Sequence, residues 1–223
     1  MRPVIIVFAP LVTELHTAKK PEKLSEAVTM AYTYLFVLLV PFAVSLALFP
    51  EYIIPILFGQ KYIEAAGALQ ILAAGTVFYA FSLFNNVIYT GMGHAQKIAK
   101  TVALICGLNL FLNIVFIAAL HLSITGAALA TTICYILLFI TSTYELTKHI
   151  SFAFPFKTWI KSMLFAAVSA SAILWIKKII LWNNIGEAIL CGALLLTFYS
   201  LLIWMSKTID IEKTKELFKK ATM

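Results

Sequence analysis

Residues 101–120 read TVALICGLNLFLNIVFIAAL, twenty positions without one charged side chain. At a rise of about 1.5 Å per residue such a run makes a helix about 30 Å long, the thickness of the hydrocarbon core of a bilayer. Its apolar residues are continuous rather than alternating, which excludes a barrel strand. A helix satisfies its own backbone N–H and C=O groups, so it can cross lipid singly. Working outward from this run, five more stretches of the same kind lie at 28–49, 65–90, 125–145, 162–176 and 185–205. A shorter apolar stretch, 3–12, precedes them. It is too short to span. Its Pro3 and Pro10 and the lack of a small-residue cleavage site make it a poor signal peptide. It reads as the second half of a helix whose first half is missing. The fold class expected is all-α: a polytopic transmembrane helix bundle of six spans plus a short N-terminal half-helix.

Composition agrees. The chain is 62% hydrophobic and 12% charged, against about 45–50% and about 25% in soluble domains. So much apolar surface cannot be hidden by 223 residues folded in water.

Basic residues orient the spans. Segments 14–27, 91–100, 146–161 and the tail after 205 hold 13 of the 17 Lys and Arg residues; the opposite segments hold only Arg2, Lys61, Lys177 and Lys178. The positive-inside rule places the first set, and with it the C-terminus, in the cytoplasm, and the protein in the cytoplasmic membrane. The net charge of +7 is accounted for by loops facing anionic lipid and calls for no nucleic-acid partner. In the tail, Ile209, Leu217 and Phe218 stand among Lys213, Lys215, Lys219 and Lys220. That pattern suits either a short helix on the inner leaflet or a solvated terminus.

Three regions follow. Residues 1–27 are the end of a truncated helix plus a polar cytoplasmic loop. Residues 28–147 form a four-span bundle in which Pro41 kinks the first span. Its outer loop carries Pro50, Pro55 and Gly59 with the interfacial rings Tyr52, Phe58 and Tyr62. Residues 148–223 supply two additional spans and the basic tail.

Enzyme chemistry finds no support. There is no phosphate-cradling Gly-rich loop, no dinucleotide fingerprint and no His-Glu-x-x-His pair. Cys106, Cys134 and Cys191 lie inside spans without ligand spacing and read as small apolar fillers. The histidines at 16, 94, 121 and 149 fall at membrane edges. No metal, cofactor or catalytic residue is expected. No span carries an ionisable residue near its middle, which counts against proton or sodium coupling.

What remains is polar and uncharged. Gly75, Tyr79, Ser82, Asn86 and Thr90 recur at helical spacing on one face of the second span, with Asn85 beside them; Asn109 and Asn113 share a face of the third. An amide unpaired in hydrocarbon is costly, so these faces should avoid lipid. They serve either helix–helix hydrogen bonding or a hydrated substrate cavity.

Several strings in order bear on kinship: IPILFGQKY at 54–62 followed by Glu64, Ala65 and Ala66, then ILA at 71–73, GMGHAQK at 91–97, Asn109 and Asn113, and GAALAT at 126–131. Their order resembles the C-terminal half of polysaccharide-biosynthesis flippases, the O-antigen or repeat-unit translocases of the multidrug/oligosaccharidyl-lipid/polysaccharide exporter superfamily. The resemblance covers residues 5–147 and, more loosely, the last two spans. It implies two helical lobes about a pseudo-twofold axis along the membrane normal. It also implies that a polyprenyl-diphosphate-linked oligosaccharide crosses the membrane by alternating access. The sequence departs from that pattern in lacking a first lobe and any intramembrane Lys or Arg. At 121–124, where relatives often carry Pro and Gly, it has His-Leu-Ser-Ile. Expected partners are membrane lipid, the lipid-linked oligosaccharide, a missing N-terminal lobe and glycosyltransferases. The alternatives are a non-transporting scaffold of a glycan-assembly complex and a cation-coupled drug or metabolite exporter of the same superfamily.

Overall fold

A computed structural model describes residues 2–179 and 185–206, with side chains over 8–175 and 190–206. Eight α-helices make up the described chain: α1 (Arg2–Thr17), α2 (Pro21–Leu48), α3 (Pro50–Phe58), α4 (Ala66–Gly91), α5 (Ala95–Asn113), α6 (Ser123–Thr147), α7 (Phe156–Ile179) and α8 (Ile185–Met205). There is no strand among the described residues. Five helical stretches are long and apolar enough to span a bilayer: those of α2, α4, α5, α6 and α7. The helix α8 carries a shorter apolar run, Leu190–Met205. The chain is a multi-pass membrane protein with an all-α bundle. The tail after 206, residues 180–184 and the side chain of Glu187 lie outside the described residues.

Two stretches expected as loops are helical. The polar segment 13–27 is broken only by a short link after Thr17, where Lys19 takes a positive φ of 52°. Pro21 stands in the first turn of α2, where its missing N–H costs nothing, and Glu22 complements the positive end of the helix dipole. The segment after the first span forms α3, started in the same way by Pro50, and then a 3₁₀ turn at Gln60–Ala65. Proline fits a helix's first turn as readily as a loop. Gly59 joins α3 to that turn at a φ of 96°, a conformation glycine adopts without strain.

The helix α4 is the hub, packed by α1, α2 and α6. Its contacts with α6 keep one offset. Gly67 faces Thr125, Gly75 faces Thr132, and Asn85 bonds Ser142 and Thr143, partners 57 or 58 positions apart throughout. A constant offset means that the two helices run parallel, with antiparallel α5 between them in sequence. Gly75 permits the approach: a Cβ there would lie 2.8 Å from Thr132 Oγ1 and 3.2 Å from Thr132 Cα. On the other side of α4, Gly91 lies against Val12 of α1. The helix α5 is held mainly along α6. The rest of its surface is bare and apolar, with Leu104 75% exposed and Leu110 and Phe111 close behind.

The connection 148–155 folds back onto the bundle. Ile150 is buried with Val28, Tyr32 and Ile88, and the rings of Phe152 and Phe154 lie 5.1 and 5.8 Å from that of Tyr32. Ser25 Oγ donates to Ser151 O at 2.6 Å. The α5–α6 turn carries backbone strain. His121 and Ser123 both take left-handed φ values, 53° and 50°, at about 1 kcal/mol each for residues with a Cβ. A π-helical turn at Ile114–Ala119 leads into it.

Candidate functional site

Polar side chains inside the bundle gather at three places. The first joins α2, α4 and α6. Tyr32 Oη donates to Asn85 Oδ1 at 2.6 Å, and Asn85 Nδ2 donates to Ser142 Oγ at 3.0 Å and Thr143 Oγ1 at 2.9 Å. Tyr32 and Asn85 are fully buried, and Ser142 and Thr143 nearly so. Each amide atom of Asn85 is matched, so this node is closed and holds three helices in register.

The second is a seam between α4, α5 and α6. The ring of Tyr79 stacks on Tyr135 at 4.4 Å. Tyr79 packs with Ile105, Cys134 and Leu138, and the Asn109 side chain lies beside Cys134. Asn113 Nδ2 donates to Asn109 O at 2.8 Å and to Asn109 Oδ1 at 3.0 Å. These asparagines are half-buried, as is Asn86 further along α4. Among the described residues no hydrogen bond engages the Asn86 amide. Thr90 is exposed and donates to Asn86 O at 2.8 Å, and Ser82 is buried and donates to Phe78 O at 2.9 Å.

The seven positions expected to line a cavity thus divide. Asn85 belongs to the closed node, and Ser82 is turned to its own helix. Tyr79, Asn109 and Asn113 come together on the seam, and Asn86 and Thr90 continue the polar surface of α4. Sequence reading missed Tyr32, Tyr135, Ser142 and Thr143. A membrane asparagine demands partners, but spacing along one helix does not say which other helix supplies them.

The third place docks the last two spans. Pro41 has no N–H, so the carbonyl of Val37, four residues earlier, loses its helical donor. Tyr199 Oη of α8 donates to Val37 O at 2.9 Å, and Ser162 Oγ of α7 bonds the same hydroxyl. Here the sequence did hold a signal, a freed carbonyl inside an apolar helix that must be met in lipid.

Among the described residues no three His, Cys, Asp or Glu side chains converge as metal ligands. The seam offers uncharged donors and acceptors beside aromatic faces, which can bind a neutral hydroxylated group.

The MatE family model matches residues 6–119. An uncharacterized membrane protein of Methanocaldococcus jannaschii is 32% identical over 214 residues. That alignment takes in 96% of this chain and 42% of its relative, so the chain spans less than half the length of that curated protein.

Proposed function

The chain belongs to the MatE family of membrane transporters, and on that premise we propose that it forms one lobe of a flippase. Its substrate is a lipid-linked oligosaccharide, carried on a polyprenyl diphosphate and moved from the inner to the outer leaflet by alternating access. One observation carries the reading: the half-buried, uncharged seam of Tyr79, Tyr135, Asn109 and Asn113, continued by Asn86. Sugar hydroxyls cannot enter hydrocarbon because they would lose their hydrogen bonds to water. Amide and phenol groups replace that water, and aromatic faces stack on sugar rings. The lipid tail stays in the bilayer beside a gap between lobes, and rocking one lobe against the other exposes the seam to alternate sides. The lysine-rich ends of the helices face the cytoplasm, where glycosyltransferases load the carrier.

One lobe supplies one wall. The chain alone should therefore flip a fluorescent polyprenyl-diphosphate oligosaccharide no faster than protein-free liposomes. Joined to a first lobe it should flip the lipid, and Asn86→Leu or Asn109→Leu should slow it about tenfold, or about 1.4 kcal/mol of barrier, at unchanged folded yield. Flipping by the lone chain, or full rates in both variants, contradicts the proposal.

A further inference from the structure

A fourth group of polar residues lies at the lysine-rich end of the bundle, apart from the seam. Two imidazoles from different turns meet there. His94, between α4 and α5, and His149, just past α6, have ring centroids 4.8 Å apart. Tyr89 of α4 packs beside both, its ring 6.1 Å from His94 and edge-on to His149 at 5.9 Å. Tyr89 is 2% exposed, and its hydroxyl has no hydrogen-bond partner among the described residues. Lys97 and Lys148 act electrostatically on His149, and burial together with the neighbouring His94 and Lys97 pushes the His149 imidazole below its ordinary value. The Glu145 carboxylate also faces the group, but it is engaged by Lys148. The helix α5 starts at this point with no acidic residue in its first turn and no side-chain cap; the Lys97 N–H donates to His94 O at 3.1 Å, and those of Ala95 and Gln96 have no helical partner.

These groups share one property. Imidazole N–H, ammonium, phenol and leading amide groups are all donors, and the two ammonium groups carry positive charge. The carboxylate that faces them is already paired. A buried hydroxyl without a partner is costly, and clustered cations repel. A tetrahedral oxyanion satisfies both needs, as anions do at helix N-termini and among basic side chains. We propose that Tyr89, His94, Lys97, His149 and Lys148 form a binding site for a phosphate group, supplied by a lipid headgroup or by free phosphate, at the lysine-rich end of the bundle. Binding favours the imidazolium form of His149, so the ligand raises its titration midpoint, and the site weakens as pH rises through it.

The test uses the full chain in maltoside micelles, which contain no phosphate, with the His94 and His149 ring protons followed by NMR. Inorganic phosphate is titrated in one arm and phosphatidic acid is doped into the micelles in the other. The proposal expects saturable shifts of both histidines' ring signals and a rise of about one pH unit in the His149 midpoint. Saturation in the first arm identifies free phosphate as sufficient; saturation only in the second identifies the headgroup. Tyr89→Phe, which keeps the ring packing, and Lys97→Gln should each weaken binding about tenfold. Absence of a shift in both arms, or full-strength binding in either variant, overturns the proposal.

Discussion

At the scale of the residue, two asparagines next to each other in sequence meet different fates. Asn85 is fully buried and bonded to Tyr32, Ser142 and Thr143; Asn86 is half-buried. One residue turns a side chain by about 100° around a helix, enough to move it from a closed node to an open surface. Asn85→Ala removes the acceptor of Tyr32 Oη and the donor to Ser142 and Thr143; Ser142 keeps its bond to Phe139 O, and Tyr32 is left with only the long contact to Thr143. A stranded buried group costs about 1–3 kcal/mol, although measured side-chain bonds in membranes average only about 0.6 kcal/mol. The expected loss is about 1–3 kcal/mol in denaturant titration in micelles, with Tyr32→Phe costing less. An Asn85→Ala protein of unchanged stability that fails in transport would move this residue to the substrate path. The face containing these residues was legible in the sequence because helical spacing is local. The division of the face was not, because it depends on which neighbour sits where.

At the scale of the element, Pro41 and Tyr199 are predicted to be energetically coupled. Tyr199 occupies the carbonyl that Pro41 leaves open. Pro41→Ala restores an N–H that reaches the Val37 carbonyl within α2, so the phenol of α8 then matters less. Tyr199→Phe should cost about 1 kcal/mol in the native chain and clearly less beside Pro41→Ala, with the difference read from a double-mutant cycle. Equal cost in both backgrounds would mean that Tyr199 holds α8 by ring packing alone. Spans could be placed from hydropathy because lipid demands long apolar runs. The 185–205 span coincides with α8, whereas α2 and α7 begin seven and six residues before the spans read at 28–49 and 162–176. Pro21 and Pro50 are helix starts, which a reading of proline as a loop marker does not distinguish.

At the scale of the molecule, α4 and α6 form the parallel pair on which the bundle is built, and α5 lies against α6 with a wide apolar surface uncovered. The parallel pairing could not be read from hydropathy, because lipid offers every helix the same apolar solvent. It rests on small residues such as Gly75 and on matched amides. The central claim is that the Tyr79–Asn109 seam and Asn86 face a hydrated path, whereas the surface of α5 bearing Leu104 and Leu110 faces lipid. Single cysteines test it directly, after Cys106, Cys134 and Cys191 are replaced by Ser. A membrane-impermeant maleimide needs a hydrated thiolate. In the chain joined to a first lobe, Asn86→Cys and Asn109→Cys should be labelled at least about tenfold faster than Leu104→Cys and Leu110→Cys, and lipid-linked oligosaccharide should protect them. Positions 86 and 109 as inert as 104 and 110 would contradict the account and leave the asparagines as packing groups.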